Sequence, residues 1–211
     1  YLPLAALGTI GDSVPLTGEN RIIAGMGMEK MRSGSWLGIT SLMTSAGLQP
    51  ETPLTVRSVA FSMVPRINAA GRMGSGERAL RLLLSETEGD AGRLAEELTD
   101  ENRRRQELEA AVTAEAVRET SIRTSEKDAV VITVGRGWHH GVVGIVASQL
   151  VSKYNKPALV FAYEEDGTTL RGSARSVPGF NIHAALSTCG DCLIKFGGHE
   201  MAAGMTISEE N

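Results

Sequence analysis

The residues able to do chemistry in this chain sit beside glycine. Lys195-Phe196-Gly197-Gly198-His199 places one of only four histidines directly after two glycines. Glycine has no Cβ, so backbone N–H groups there can approach an anion closely. Three other stretches share the pattern. Pro65-Arg66-Ile67-Asn68-Ala69-Ala70-Gly71-Arg72 sets two guanidinium groups around small residues, a composition suited to bidentate phosphate binding. Gly135-Arg136-Gly137-Trp138-His139 lies between an expected strand and an expected helix, where an anion can use a helix N-terminus. There Trp138 either stacks on a base or fills the core, and His139 either meets phosphate or belongs to a capped turn. Arg171-Gly172-Ser173-Ala174-Arg175 carries a hydroxyl and a guanidinium that can converge with His199 across neighbouring strands.

The remaining glycine-flanked group is Asp12, in Gly8-Thr9-Ile10-Gly11-Asp12. An aspartate at the end of an apolar element is ordinarily a turn former or an N-cap. Its functional alternative is a ligand for a hard cation such as Mn²⁺ or Mg²⁺. Two-metal phosphodiesterases hold their cations with a cluster of carboxylates. The sequence has no Asp-x-Asp and no Asp beside a His pair. One aspartate cannot build such a centre, so a metal site would be incomplete.

The two cysteines, Cys189 and Cys192, have the spacing of a redox pair or half a zinc site. A zinc site needs two more ligands, and there is no second pair. The plainer reading is two cytosolic thiols in a loop.

These groups must be positioned by a soluble globular chain. Apolar residues make up 42% and charged residues 22%, and the net charge of -4 gives no bulk attraction to nucleic acid. A few well-placed cations suffice for phosphate contacts. No apolar run reaches the ~20 residues of a membrane span. The apolar start is too short for a signal peptide, and the chain reads as cut from something longer. A cytoplasmic protein with no membrane partner is expected.

Residues 1–16 form an apolar element that delivers Asp12, and 20–47 have helical spacing ending at Gly47. Pro50 and Pro53 mark a turn. Residues 61–76 show no clear period and read as an ordered loop before a helix start at Ser75 or Glu77. Residues 77–120 are helical, with a break expected near Gly89–Gly92 and a polar middle at 100–107. A long helix with such a middle often bridges domains. From 128 onward strands (129–134, 157–162, 168–173, 201–207) alternate with helices (141–154, 179–186), which describes a compact α/β domain.

Gly-Thr-Ile-Gly-Asp-Ser-Val-Pro-Leu, Pro-Arg-Ile-Asn-Ala-Ala-Gly-Arg-Met, the Trp138–Ser148 run, Gly-Ser-Ala-Arg-Ser and Phe-Gly-Gly-His-Glu-Met-Ala-Ala-Gly-Met occur in that order. Together they resemble the RecJ branch of the DHH phosphoesterase superfamily, which are single-strand-specific 5′-to-3′ DNA exonucleases of repair and recombination. The resemblance covers nearly the whole chain. It implies the end of a DHH catalytic domain at 1–76, a connecting helix at 77–124 and a smaller DHH-associated α/β domain with a mixed sheet at 125–211, with nucleic acid in the cleft between the domains. It implies Asp12 as a ligand of a two-ion Mn²⁺ or Mg²⁺ site. It implies that Arg66, Asn68, Arg72, Trp138, His139, Ser173, Arg175, Gly197, Gly198 and His199 bind single-stranded DNA near the scissile phosphate, His199 in a catalytic position. Partners would be a single-strand-binding protein and a helicase.

The family's earlier motifs, an Asp-x-Asp, a further Asp and the Asp-His-His, are absent. The chain by itself is therefore expected to lack nuclease activity. Two rivals stand beside this reading. One is a phosphoesterase of the same superfamily acting on short oligonucleotides or nucleotides. The other is a non-catalytic nucleic-acid-binding relative.

Overall fold

The computed structural model describes residues 1–49, 52–123, 125 and 127–211. Pro50, half of the expected proline turn, lies outside them. The chain forms two compact units, Tyr1–Arg105 and Gln106–Asn211.

The first unit is helical. The apolar opening is helix α1 (Leu2–Gly11), which buries Ala6, Leu7 and Ile10. Helix α2 (Gly18–Arg32) lies close against it, since a Cβ on Gly27 would overlap that of Ala6. Helix α3 (Leu37–Ser45) follows, and Gly47, at φ 73°, supplies the left-handed residue that ends it. Ile39, Leu42, Met63, Leu82, Leu94 and Leu98 fill the core.

The expected loop at 61–76 is instead mostly helix. A short turn α4 (Val56–Ser58) runs through a π-helical turn (Val59–Met63) into α5 (Val64–Met73). Thr55 and Ser58 cap its start reciprocally. Pro65 falls in the first turn of α5, where its missing N–H is not needed. The π turn advances the buried face by one residue, so Val59, Met63, Val64, Ala69 and Ala70 fit no single 3.6-residue period. That is why the helix was invisible in the pattern.

Helix α6 (Glu77–Leu83) and helix α7 (Glu88–Arg123) replace one interrupted helix. The break falls at 84–87, before the expected Gly89–Gly92. Thr87 starts α7 there: its hydroxyl accepts from the Asp90 N–H at 3.2 Å and donates to the Asp90 carboxylate at 3.0 Å. Gly89 and Gly92 lie within α7. Residues of α7 contribute to the core of each unit, Leu94 and Leu98 to the first, Val112 and Ala116 to the second.

The second unit is a five-stranded mixed sheet, β1 (Val131–Gly135), β2 (Ala158–Tyr163), β3 (Thr169–Arg175), β4 (Leu193–His199) and β5 (Ala202–Ser208), ordered β1-β2-β3-β5-β4. β1 and β2 are parallel and joined through helix α8 (His140–Tyr154); the other pairs are antiparallel. Val142, Val146 and Leu150 of α8 pack on Val131, Ala158 and Val160 on one face. Helix α9 (Ile182–Thr188) packs on Leu159, Leu170, Ala203 and Met205 on the other. The Gly197-Gly198-His199 segment, outside the four expected strands, is part of strand β4. Gly197 and Gly198 pair with Gly204 and Ala203 on β5.

Candidate nucleic-acid interface

Directly opposed residues of neighbouring strands share a face of the sheet. The register therefore lays three rows across β3, β5 and β4, namely Arg175–Ala202–His199, Ser173–Gly204–Gly197 and Arg171–Thr206–Lys195. These are continuous with Ala158, Val160 and Ala162 of β2, which α8 covers. Gly197, His199, Gly204, Arg171 and Lys195 are exposed. One face of the sheet thus has an apolar half under α8 and a cationic half open to solvent, whose middle row carries two glycines and a serine.

The serine and arginine are tied to each other. Arg175 donates through Nη1 to the Ser173 hydroxyl oxygen at 2.9 Å and to the Ala174 carbonyl at 2.8 Å. Gly144 of α8 faces this pair. A Cβ there would lie 3.0 Å from Arg175 Nη2 and 3.1 Å from Ser173 Oγ. The bare backbone at Gly144 is what lets α8 and the guanidinium share this space.

His199 ends β4 at a two-residue turn, Glu200–Met201. The turn is pinned from outside the hairpin, because Ser176 N–H donates to the Met201 carbonyl and Ile182 N–H to the Glu200 carbonyl, both at 3.0 Å. The ring is oriented by its own turn, with Nδ1 accepting from Met201 N–H at 3.3 Å. A neutral imidazole that accepts at Nδ1 carries its proton on Nε2, so the outward nitrogen is a donor suited to a phosphate oxygen. Gly198, at φ 152°, has no room for a side chain, since a Cβ would collide with the Ala202 carbonyl.

Trp138 is not available to a base. Its indole is buried in the α8 core, over Gly135, where a Cβ would overlap the ring. Of the two readings the sequence left open, the core is correct. His139 is the N-cap of α8: its Nδ1 accepts from Gly141 N–H at 3.0 Å.

In the helical unit, Arg66 is half-buried and stitches three segments together. Nε donates to Thr99 Oγ1 at 3.0 Å, Nη1 to the Ser62 carbonyl at 2.5 Å and Nη2 to the Ser45 carbonyl at 3.2 Å. Burial lowers its pKa from the ordinary arginine value, which still leaves it charged at neutral pH. Among the described residues two of its five donors, one on each Nη, remain uncommitted. Asn68 and Arg72 are exposed, four residues apart on one face of α5.

Asp12 is the C-cap of α1, its N–H donating to the Gly8 carbonyl at 2.9 Å. Its carboxylate is exposed and, among the described residues, makes no hydrogen bond or ion pair. No group of three or more His, Cys, Asp or Glu side chains that could hold a metal occurs among the described residues. Asp12 can offer one ligand; these residues do not compose a two-ion centre. Cys189 and Cys192 are exposed free thiols, the first preceding and the second ending a 3₁₀ turn (Gly190–Cys192).

Sequence reasoning passed over Arg171, Lys195, Thr206 and Gly204 as site residues. The signal was present as period-two spacing, in Arg171, Ser173, Arg175 and in Lys195, Gly197, His199. Gly144 carried no local signal, because its role depends on where α8 crosses β3.

Residues 126–211 match the DHHA1 domain family. That segment carries the sheet, α8 and α9 and is similar to DHHA1 domains. The chain as a whole is RecJ-like along its full length. It is 42% identical over 210 residues to the single-stranded-DNA-specific exonuclease RecJ of Bacillus subtilis, covering all of this chain and 26% of that protein. It is 37% identical over 219 residues to RecJ of Escherichia coli, covering 99% of this chain and 37% of that protein. The crystal structure of Thermus thermophilus RecJ with Mg²⁺ superposes with a TM-score of 0.88 at 35% identity, over 100% of this chain and 32% of that one. A RecJ structure bound to manganese gives 0.82 at 34%, over 99% and 51%. The chain spans 26% to 38% of the length of the curated relatives it matches.

Proposed function

We propose that this chain is the phosphate-gripping part of a single-strand-specific 5′-to-3′ DNA exonuclease that hydrolyses phosphodiesters with Mn²⁺ or Mg²⁺. The observation that carries the reading is the Ser173–Arg175 pair, fixed on an open sheet face beside the Gly197–Gly204 floor and His199. RecJ relatives carrying the single-stranded-DNA-specific name, at 42% and 37% identity, supply the substrate class.

Each group then has a task. Arg175 and Ser173 hold a phosphate, with the guanidinium already oriented by the serine, so little ordering entropy is lost on binding. His199 donates from Nε2 to a phosphate oxygen. The exposed backbone at Gly197 and Gly198 leaves clearance for the strand. Arg66 positions α5 and offers its two uncommitted donors, and Asn68 and Arg72 extend that polar face. Asp12 supplies one carboxylate toward a metal ion. When bound, such ions activate water and offset the charge of the leaving oxygen.

The boundaries 1–76, 77–124 and 125–211, for the end of the catalytic domain, connecting helix and DHH-associated domain, belong to the same proposal. So do a cytoplasmic location and partnership with a single-strand-binding protein and a helicase, which rest on the family resemblance alone.

The test is steady-state degradation of a 5′-phosphorylated single strand by the intact protein that carries this chain. Arg175→Ala raises KM and lowers the salt dependence of binding, whereas Asp12→Ala lowers kcat with strand affinity retained. Wild-type rates and affinities in both variants would refute the assignment.

A further inference from the structure

The open sheet face continues past the Ser173–Arg175 pair into a groove of about 540 Å³. Its far row is Arg171 and Lys195, on either side of Thr206. We propose that Arg171 and Lys195 form a second phosphate subsite, which engages the same single strand beyond the nucleotide held by Ser173, Arg175 and His199. The inference rests on the reading above and extends it from one phosphate to two.

Three observations support it. First, these two cations are uncommitted. Among the described residues neither Arg171 nor Lys195 has a side-chain hydrogen bond or ion pair. Most other arginines are tied down, as Arg136 is to Glu209 at 3.1 Å and Arg93 to Glu97 at 2.6 Å. Two exposed, unpaired like charges flanking one strand repel each other and gain from a shared anion.

Second, the spacing suits a polymer. Residues two apart on a strand lie ~6.7 Å apart, so the Arg171 row is ~6.7 Å from the Ser173 row and ~13 Å from the Arg175 row. The outer distance exceeds what one nucleotide spans. Arg171 and Lys195 lie across two strand spacings, on the order of 10 Å, which their long side chains close around one phosphate.

Third, the floor between the cationic rows is bare. Gly197 and Gly204 are directly opposed, both exposed, and a Cβ on Gly197 would meet nothing within 4 Å. A sugar or base can lie flat on that backbone. Beyond Arg171 the groove ends at Glu164, whose carboxylate sits 3.4 Å from His140 Nε2. That negative end discourages phosphate from going further and sets the track at two positions.

The experiment uses the intact protein carrying this chain, with fluorescence anisotropy on a labelled 5′-phosphorylated octathymidylate and competition by thymidine 5′-monophosphate, across a salt series. Arg171→Ala/Lys195→Ala is expected to weaken the octanucleotide about tenfold and to lower its salt slope by about 0.7, the value for one single-strand phosphate contact. The mononucleotide, with one phosphate held by the first subsite, keeps its affinity. Arg175→Ala weakens both ligands. Exposed Lys153 on α8 serves as a control, and Lys153→Ala is expected to change neither. If the double variant binds the octanucleotide with wild-type affinity and slope while Arg175→Ala still loses it, the second subsite is wrong and the first stands. Equal losses for the double variant and Lys153→Ala would reduce the effect to bulk charge and overturn the subsite. If Arg175→Ala is also silent, the phosphate-grip reading falls and the extension with it.

Discussion

Arg175 donates to the hydroxyl of Ser173 two residues back on the same strand, at 2.9 Å, and Gly144 of the covering helix faces both. The pair is therefore preorganised by a contact across secondary structures. Gly144→Ala separates binding from stability. Alanine in a helix interior gains about 1 kcal/mol over glycine, while the new methyl displaces Arg175 and Ser173. The expected result is an unchanged or raised Tm with single-strand affinity reduced about fivefold, the scale of one hydrogen bond. Affinity and Tm falling together would assign Gly144 a packing role only.

Trp138 gives an opposite prediction. Trp138→Ala is expected to cost about 3–5 kcal/mol of stability, as for a large buried aromatic. Trp138→Phe is expected to cost about 1 kcal/mol or less, because among the described residues its buried indole N–H has no partner and no hydrogen bond is lost. In a Trp36→Phe background, Trp138 fluorescence stays constant as single strand is added. Strong quenching would put the ring back at the interface.

The sheet's period-two residues were legible in the sequence, as were α8 and the apolar opening. What was illegible shares one cause, a dependence on partners far along the chain. The π turn before α5 hid a helix by shifting its buried face. Gly-Gly-His becomes a strand through its pairing with Gly204 and Ala203. Trp138 could not be assigned to core or surface until Gly135 was seen to leave space for the ring. Thr87, not the two glycines after it, marks the break, because its hydroxyl satisfies the first turn of α7 and starts that helix.

Acid sensitivity is expected at the turn that begins β3. The Asp166 carboxylate accepts from Thr168 N–H at 2.9 Å and from Thr169 N–H at 2.8 Å, and these bonds hold its pKa below the ordinary aspartate value. A depressed folded-state pKa stabilises above the unfolded value, and that contribution is lost as pH falls through the folded one. Amide protection in residues 167–170 should therefore fall below about pH 4, and Asp166→Asn should flatten the change. Protection that rises on acidification would reverse the sign and refute the cause.

The 211-residue chain alone is expected to show no Mn²⁺-dependent cleavage of a labelled single strand, since Asp12 is one carboxylate without companions among the described residues. Cleavage by the purified chain, abolished by Asp12→Ala, would mean that these residues compose a metal centre after all.

The central claim is that the open half of the β3-β5-β4 face is where single-stranded DNA lies. Hydrogen exchange of the intact protein, with and without a 5′-phosphorylated oligothymidylate, tests it most directly. The account predicts added protection at 171–175 and 195–206, with none at β1. Protection absent from the β4–β5 hairpin while the strand is bound would contradict it.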